Sequence, residues 1–533
     1  MFRKASWTAF AAAAAAVALS AGLVGCAPGE SGGGTADPDS TGTPVAGGTL
    51  RVGLGPITGK IANLGFSGSY LSSQETFASM PALETLVQLD ETGAVVPWLA
   101  TEWEMDPEAR TITFSLRDGV VFHDGAPFNA DAVIWNIDQV KAAGIAEFAN
   151  VSGATAADEL TVVVQLEEWR LSQLNSFATY LNIYSPESGA QGEEFMRSNP
   201  VGTGPFVFDE FTPDVSVKYT AFGDYWQEGK PYLDAVELYP YRDENSLAAS
   251  LTAGEIDAAF VPAPLTVRQL ESNPELEVIQ LESGVSSGLE GIYTSSADEN
   301  SPFADPLVRK AVGHAIDVES LQPTFTFGYS VLTDQYAAPT FETYNPEVVG
   351  TPYDPDTARE LLEEAGYANG FSTSISGVGG YTDLMTAIQA QLAEVGIEAT
   401  VQVLDPGAFD AAVSPTGGWD GLMMSAVRLE PDLATFMPRY YSANASRFGA
   451  HIQHPEDVAQ LFKEVVAAPD LETQLELSHE LQKLVFDEYT LATPLWVTTR
   501  PSVVYSYVHD SGMSTVSGST WTPGDVYMTN QGQ

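Results

Sequence analysis

The sequence predicts a mixed α/β fold that is built from more than one domain. A chain of 533 residues is too long for a single ordinary hydrophobic core. Short runs rich in β-branched residues alternate with amphipathic helical runs, which is typical of α/β architecture with mixed sheets. Hydrophobic residues make up 44% of the chain and aromatic residues 10%, as in folded globular proteins.

Seven strands and five helices carry this prediction. The strands are expected at residues 49–54, 111–117, 161–166, 215–222, 235–241, 397–404 and 495–507. The helices are expected at residues 130–140, 305–316, 354–365, 384–395 and 461–489. Asn129 is expected to cap the first helix, Gly366 to end the third, and Pro469 to break the last.

The chain is strongly acidic, with 22 Lys and Arg residues against 71 Asp and Glu residues and a formal net charge of −49. Such a surface repels the phosphates of nucleic acids and of anionic lipids, so we expect no nucleic-acid partner. The single cysteine, Cys26, excludes an intramolecular disulfide and a thiolate metal site.

Residues 1–25 are predicted to be a signal peptide. Arg3 and Lys4 form a short positive region, and an uncharged, alanine-rich apolar run follows up to Val24.

Residues 23–26, Leu-Val-Gly-Cys, resemble a bacterial lipobox. That resemblance implies cleavage before Cys26 and lipidation of its sulfur, and several acyl chains on one residue give stable anchoring. Residues 26–48 are then a lipidated cysteine followed by a flexible tether rich in Gly, Ser, Thr and Pro. We expect the protein at the outer face of the cytoplasmic membrane, in a periplasm or at the cell surface.

The sequence carries no enzyme signature. It has neither a G-x-S-x-G elbow nor an H-E-x-x-H helix. His451 and His454 have the spacing of a metal pair, but no carboxylate partner is evident, and a surface loop explains them better. We therefore predict no catalytic residues, no metal and no cofactor.

A series of short blocks points to a known family. They lie at residues 86–90, 97–100, 102–104, 113–120, 122–125 and 128–133, and later blocks at 201–206, 251–258, 305–317 and 358–367. Their order resembles the family 5 extracellular solute-binding proteins, which include the peptide-binding and nickel-binding proteins of ABC importers. The resemblance extends from Gly48 to about Tyr507.

The resemblance implies a two-lobed clamp, like that of periplasmic binding proteins, with mixed sheets and an extra domain inserted in the first lobe. The expected first lobe comprises residues 49–75, 200–285 and 495–533, the inserted domain residues 76–199, and the second lobe residues 286–494. The hinge is expected near residues 281–293 and 490–498. Solute binding would stabilise the closed form, which a membrane permease reads.

The implied function is that of an extracytoplasmic substrate-binding lipoprotein of an ABC transporter. It would act as a monomer that captures peptides or peptide-like solutes between its lobes and delivers them to the permease. Two alternatives stay open: the same scaffold tuned to oligosaccharides or another non-peptide solute, and a lipid-anchored secreted enzyme.

Peptide-binding relatives carry an aspartate four residues before a proline, where it pairs with the peptide α-ammonium. Counting back from Pro431, this chain has Val427 at that position. A buried ammonium that faces a valine lacks a partner. Either Glu430 or Asp432 takes the role in a shifted register, or a free peptide N-terminus is not recognised. Arg428 is either a bidentate clamp for a carboxylate or an ordinary solvated charge.

The other expected solute contacts come from the loop after the first strand and from the second lobe. They are Gly55, Phe66, Tyr293, Trp419, Met424 and Ser425. Thr294, which stands where relatives often have asparagine, is a second sign of altered specificity.

Overall fold

The computed structural model describes residues 44–55, 61–66, 73–90, 93–280, 288–440, 447–499, 501–513 and 521–529. The predicted signal peptide, the predicted lipidation at Cys26 and most of the predicted tether lie outside these residues.

The described chain contains strands and helices in mixed order. The strands are β1 (Thr49–Leu54), β2 (Val87–Leu89), β3 (Val95–Pro97), β4 (Ala100–Asp106), β5 (Thr111–Leu116), β6 (Val151–Asp158), β7 (Thr161–Leu166), β8 (Phe206–Thr212), β9 (Ser216–Ala221), β10 (Ala235–Pro240), β11 (Ala258–Phe260), β12 (Leu276–Ile279), β13 (Gly288–Thr294), β14 (Ser330–Leu332), β15 (Phe371–Val378), β16 (Ile397–Leu404), β17 (Leu422–Arg428), β18 (Ala492–Thr498), β19 (Ser502–Tyr505), β20 (Val508–His509) and β21 (Tyr527–Met528). The helices are α1 (Ser73–Ser79), α2 (Ala130–Ala142), α3 (Gln173–Thr179), α4 (Pro186–Gly189), α5 (Glu193–Met196), α6 (Glu244–Thr252), α7 (Pro264–Leu270), α8 (Pro306–His314), α9 (Val318–Thr326), α10 (Pro355–Glu364), α11 (Thr382–Glu394), α12 (Pro406–Val413), α13 (Leu433–Tyr440), α14 (Glu456–Ala467) and α15 (Leu471–Lys483).

A seven-stranded mixed sheet forms the first lobe, with the strand order β12-β19-β11-β1-β10-β9-β8. β1 runs parallel to both β10 and β11. Its apolar residues Leu50, Val52 and Leu54 are fully buried, and they share a core with Val236 and Val504 from other strands. Distant segments of the chain therefore meet in one hydrophobic core.

A six-stranded mixed sheet forms the second lobe, with the order β14-β18-β13-β17-β15-β16. β13 lies at its centre and pairs antiparallel with β17 and β18. Both faces of this sheet are covered: Ile292 and Trp496 belong to one hydrophobic core, and Leu289 and Val427 to another.

The stretch of chain between β1 and β8 adds a separate four-stranded antiparallel sheet, β4-β5-β7-β6. In β5 the buried residues Ile112, Phe114 and Leu116 alternate with half-buried ones, as the predicted period of two requires. Helix α2 begins after Asn129, whose side chain accepts a hydrogen bond from the Ala132 amide at 3.0 Å. This confirms the predicted cap.

The chain passes between the two large sheets twice. The first passage, residues 280–287, joins β12 to β13, and the second, residues 499–501, joins β18 to β19. The first lies largely outside the described residues. The second follows Thr498, at the end of the range expected for a hinge, so the expected domain boundary between residues 494 and 495 falls inside β18.

The prediction of one continuous strand at residues 495–507 is wrong. β18 belongs to the six-stranded sheet and β19 to the seven-stranded sheet. Pro501 lies between them and has no amide hydrogen to donate to a strand ladder. A single apolar run of sequence therefore supplies one strand to each lobe.

The predicted helix break at Pro469 is confirmed, because α14 ends at Ala467 and α15 begins at Leu471. Gly366, after α10, has a φ of 90°, a left-handed conformation that glycine adopts without steric cost.

Candidate functional site

Three strand ends mark the side of the six-stranded sheet that faces the first lobe. β13 begins at Gly288 directly after the first passage, and β18 ends at Thr498 directly before the second. Gly288 is opposite Arg428, the last residue of β17, and its amide donates to the Thr498 hydroxyl at 3.2 Å. We call this side of the sheet the cleft edge, because both passages of the chain to the seven-stranded sheet leave from it.

The side chain of Val427 does not point along the cleft edge. It is 3% exposed and belongs to the same hydrophobic core as Leu289, its register partner on β13. An aspartate at this position would put a charge into an apolar layer. The tertiary structure thus explains why valine is accommodated here.

Several expected solute contacts lie inside the protein in this structure. Met424 is fully buried in a core of the second lobe, and Ser425 is 3% exposed. Tyr293 is 1% exposed and stacks on Phe448 with the ring centres 4.6 Å apart. Their contact with a solute stays a prediction.

Arg428 and Glu430 form an ion pair at the cleft edge. The Nε atom of Arg428 is 3.1 Å from Oε1 of Glu430, whose side chain is 4% exposed while that of Arg428 is 27% exposed. Tyr180 directly follows α3, and its hydroxyl donates to the same oxygen of Glu430 at 3.3 Å. The guanidinium carbon lies 5.8 Å from the centre of the Tyr180 ring. Glu430 therefore contacts Arg428 of the second lobe and Tyr180 of the stretch of chain between β1 and β8.

Asp432 has a structural task of its own. Its Oδ1 accepts a hydrogen bond from the Thr435 amide at 2.7 Å, which caps the first turn of α13. Its Oδ2 accepts from the side chains of Thr435, at 2.9 Å, and Asn175, at 2.5 Å. Burial raises the pKa of Asp432 to about 6 despite these hydrogen bonds. A cavity of about 300 Å³ between α3 and α15 opens beside Asp432 and Asn175.

Gly55 directly follows β1, and Phe66 packs against a small core that includes Met80 and Tyr184. A Cβ atom at Gly55 would lie 2.7 Å from the carbonyl oxygen of Val261, so only glycine allows this close approach. The Phe66 ring lies beneath the guanidinium of Arg197, at 4.5 Å.

Trp419 lies before β17, at the end of that strand opposite to the cleft edge. Its ring contacts His451 with a centre-to-centre distance of 4.8 Å, and its buried indole N–H has no hydrogen-bond partner within the described chain. It borders an open groove of about 600 Å³ over the polar faces of β15 and β16. This groove is separate from the cleft edge.

Sequence reasoning missed one charged residue at the cleft edge, Glu290. It is the third residue of β13, and its Oε2 accepts a hydrogen bond from the Trp496 indole at 2.9 Å. Burial raises its pKa to about 7. The available signal was a lone acid inside the apolar run Gly-Leu-Glu-Gly-Ile-Tyr-Thr.

Across the described ranges, no three His, Cys, Asp or Glu side chains gather in a way that would hold a metal ion. The Nε2 atoms of His451 and His454 each contact a backbone carbonyl, at 2.9 Å and 2.7 Å. In the same part of the chain, no helix combines the length and the apolar character needed to cross a bilayer.

Comparison with known proteins assigns the family. The model of the bacterial extracellular solute-binding proteins, family 5, matches residues 94–448. The chain belongs to this family. Its members are binding proteins of transport systems and not enzymes.

Within family 5, the chain is 32% identical over 357 residues to the glutathione-binding protein GsiB of Escherichia coli O1:K1. That match covers 62% of this chain and 65% of the relative, slightly less than two thirds of its length.

Solved structures agree on the two-lobed fold. The binding protein DppA of Helicobacter pylori, in complex with the peptide STSA, superposes with a TM-score of 0.74 at 23% identity over 91% of this chain and 98% of that one. NikA of Brucella suis, in complex with Fe(III)-EDTA, gives 0.78 at 21% identity over 90% and 100%. The expected fold class is confirmed: a mixed α/β protein with two lobes.

Proposed function

We propose that this protein is the extracytoplasmic substrate-binding component of an ABC importer. The observation that carries the proposal is the pair of passages between two large sheets in a family 5 chain. Two lobes that are joined by two short segments can close on a solute and open again with little change inside either lobe. A solute that contacts both lobes stabilises the closed form by its differential affinity for it.

The proposed solutes are peptides or peptide-like molecules. The relative GsiB is named for glutathione, and DppA was crystallised with a peptide. The cleft edge offers charged groups of both signs: the half-buried Arg428 and, two residues into β13, Glu290. Groups of both signs suit a solute that carries an ammonium and a carboxylate.

A non-peptide solute is the second candidate, and Val427 favours it. The carboxylate that peptide-binding relatives place at this position is absent, and the valine is enclosed by an apolar core. NikA in complex with Fe(III)-EDTA is an example of this fold with another kind of molecule.

We propose further that Cys26 is lipidated and that residues 27–48 tether the folded body to the outer face of the cytoplasmic membrane. In this arrangement the monomer reaches its permease while it stays at the membrane surface. The support is the lipobox-like run that ends at Cys26. Cys26→Ser should move the protein from the membrane fraction to the soluble fraction of the producing cells; retention in the membrane would contradict the anchor.

The test of solute class uses the chain from residue 27 to residue 533, without lipid. Thermal unfolding is followed with glutathione, STSA, Met-Leu, oligosaccharides and Fe(III)-EDTA. A solute that binds only the folded form stabilises it by about 2.7 kcal/mol at a hundredfold excess over its Kd.

We expect the peptides to raise the unfolding midpoint and the oligosaccharides to leave it unchanged. A shift with sugars alone would overturn the peptide assignment. Turnover of any of these compounds would overturn the proposed role as a binding protein.

A further inference from the structure

Glu290 has an unusual place in β13. Its six neighbours in the strand are all buried, and Glu290 alone keeps partial exposure. It stands opposite Ala426 on β17 and Trp496 on β18, two residues from the cleft edge. An acidic side chain in the central strand of a sheet is unfavourable for folding, because burial of a charge costs several kcal/mol unless the charge is paired.

The contacts of Glu290 leave its charge without a counter-ion. Trp496 donates to Oε2 at 2.9 Å, and among the described residues no basic side chain pairs with this carboxyl group. The nearby Tyr381 is also affected, since burial and the Glu290 charge both raise the pKa of its hydroxyl. Oε1 therefore remains for a ligand.

The backbone around Glu290 is irregular in a way that typically accompanies binding sites. The pairing of β13 with β18 shifts register between Glu290 and Gly291, opposite Pro494, a residue that a central strand tolerates only at a bulge. After β15, the chain turns at Gly379 and Gly380, and a Cβ atom at Gly380 would meet nothing within 4 Å. Open space thus borders the same edge.

The two carboxylates that the sequence offered in place of an aspartate at position 427 are already engaged. Glu430 is paired with Arg428, and Asp432 caps α13 and accepts from Asn175. Glu290 differs from Glu430 in having no basic partner among the described residues, and from Asp432 in accepting one hydrogen bond there, from Trp496, instead of three.

We propose that Glu290 binds an ammonium group of the captured solute. The indole of Trp496 holds Oε2, so that Oε1 receives the charged hydrogen bond from the ligand. This assignment rests on the proposed function and narrows it to solutes that carry a positive nitrogen. The source is either the α-ammonium of a peptide or the ammonium of a lysine-type side chain.

The test measures Kd by calorimetry with three probes: STSA, N-acetyl-STSA and N-acetyl-Ser-Lys-Ser-Ala. For the unmodified protein, acetylation should weaken binding about 30-fold or more, the usual cost of deleting one partner of a buried charge pair. If the α-ammonium is the ligand group, both N-acetylated peptides bind weakly and STSA binds tightly. If a side-chain ammonium is the ligand group, STSA and N-acetyl-STSA bind equally weakly and the lysine peptide binds about 30-fold more tightly or better.

Glu290→Gln should bind STSA and N-acetyl-STSA about equally. The matched control is Glu84→Gln, the same change at another buried acid whose pKa is raised to about 7, in which the preference for the free amine should persist.

Equal affinity of the unmodified protein for all three probes would overturn the assignment of Glu290 and leave peptide binding intact. Binding of none of the probes or of the peptides in the thermal panel would overturn the proposed function, and this inference with it. The acetylation arm needs no variant and decides whether the site holds an ammonium group. Glu290→Gln, with its folding checked by circular dichroism, decides whether Glu290 is the partner of that group.

Discussion

Glu84 is a buried carboxyl group on which four side chains converge. Trp98 donates to Oε1 at 2.8 Å and Tyr225 at 2.9 Å, Thr203 donates to Oε2 at 2.7 Å, and Trp226 reaches both oxygens. Burial raises the pKa of Glu84 to about 7. These donors come from residues far apart in sequence, so Glu84 joins the inserted stretch to the segment that follows β9.

Glu84→Leu should lower the free energy of unfolding by about 3–5 kcal/mol, because it leaves several buried donors without an acceptor. Urea denaturation at pH 6 measures the change. Glu104→Leu, on the exposed face of β4, should change stability by about 0.5 kcal/mol or less. Equal effects of the two substitutions would show that the hydrogen bonds to Glu84 do not contribute more to the free energy of unfolding than an exposed residue does.

At the scale of elements, local sequence signals predicted helix ends correctly, because a helix begins or ends through contacts among neighbouring residues. The cap at Asn129 and the break at Pro469 depend on bonds within a few residues, and both are confirmed. The run 495–507 is different, because its alternation of apolar residues is the same in either sheet. The run is divided into β18 and β19 because its first part pairs with the six-stranded sheet and its second part with the seven-stranded sheet.

Asn129→Ala should destabilise the protein by about 1 kcal/mol, through loss of the hydrogen bond to the Ala132 amide. Chemical denaturation followed by circular dichroism measures the change. Asn129→Asp keeps an acceptor and should restore most of the loss, while Asp138→Ala, on the exposed face of α2, should have little effect. If Asn129→Asp is as unstable as Asn129→Ala, the cap is not the cause.

At the scale of the whole molecule, the acidic groups set how stability depends on pH. Burial raises the pKa of Glu84 and Glu290 to about 7 and of Asp432 to about 6. These groups hold protons more tightly in the folded than in the unfolded protein, so their contribution is lost as the pH rises from about 4.5 to 7. The net charge of −49 adds repulsion in the same range.

His123 acts in the opposite direction. Burial lowers its pKa to about 4, and its Nε2 lies 2.8 Å from the carbonyl oxygen of Gly204. The folded protein holds this ring neutral, so stability is lost as the pH falls from about 6.5 to 4.

Above pH 5 the three acids outweigh the one histidine, so stability falls as the pH rises from about 5 to 7. Calorimetric unfolding from pH 4 to 9 checks this, and Glu84→Gln should flatten the decline above pH 5. For Glu84 the decline amounts to on the order of 3 kcal/mol. A midpoint that rises steadily from pH 5 to 8 would contradict the prediction.

The sequence by itself determined the family, the mixed α/β class and most of the elements, because ordered motifs and local periodicity carry that information along the chain. It also singled out β17 as a strand expected to line the cleft, with Val427 at the position where peptide-binding relatives have aspartate. Only the tertiary structure decided what each charged residue near that strand does. Glu430 and Asp432 look equivalent in the sequence, yet one pairs with Arg428 and the other caps α13. Glu290 lies more than a hundred residues earlier in the chain and reaches the same edge only because β13 pairs with β17. A charge acquires its role from the atoms packed around it, and in this fold those atoms come from distant parts of the chain.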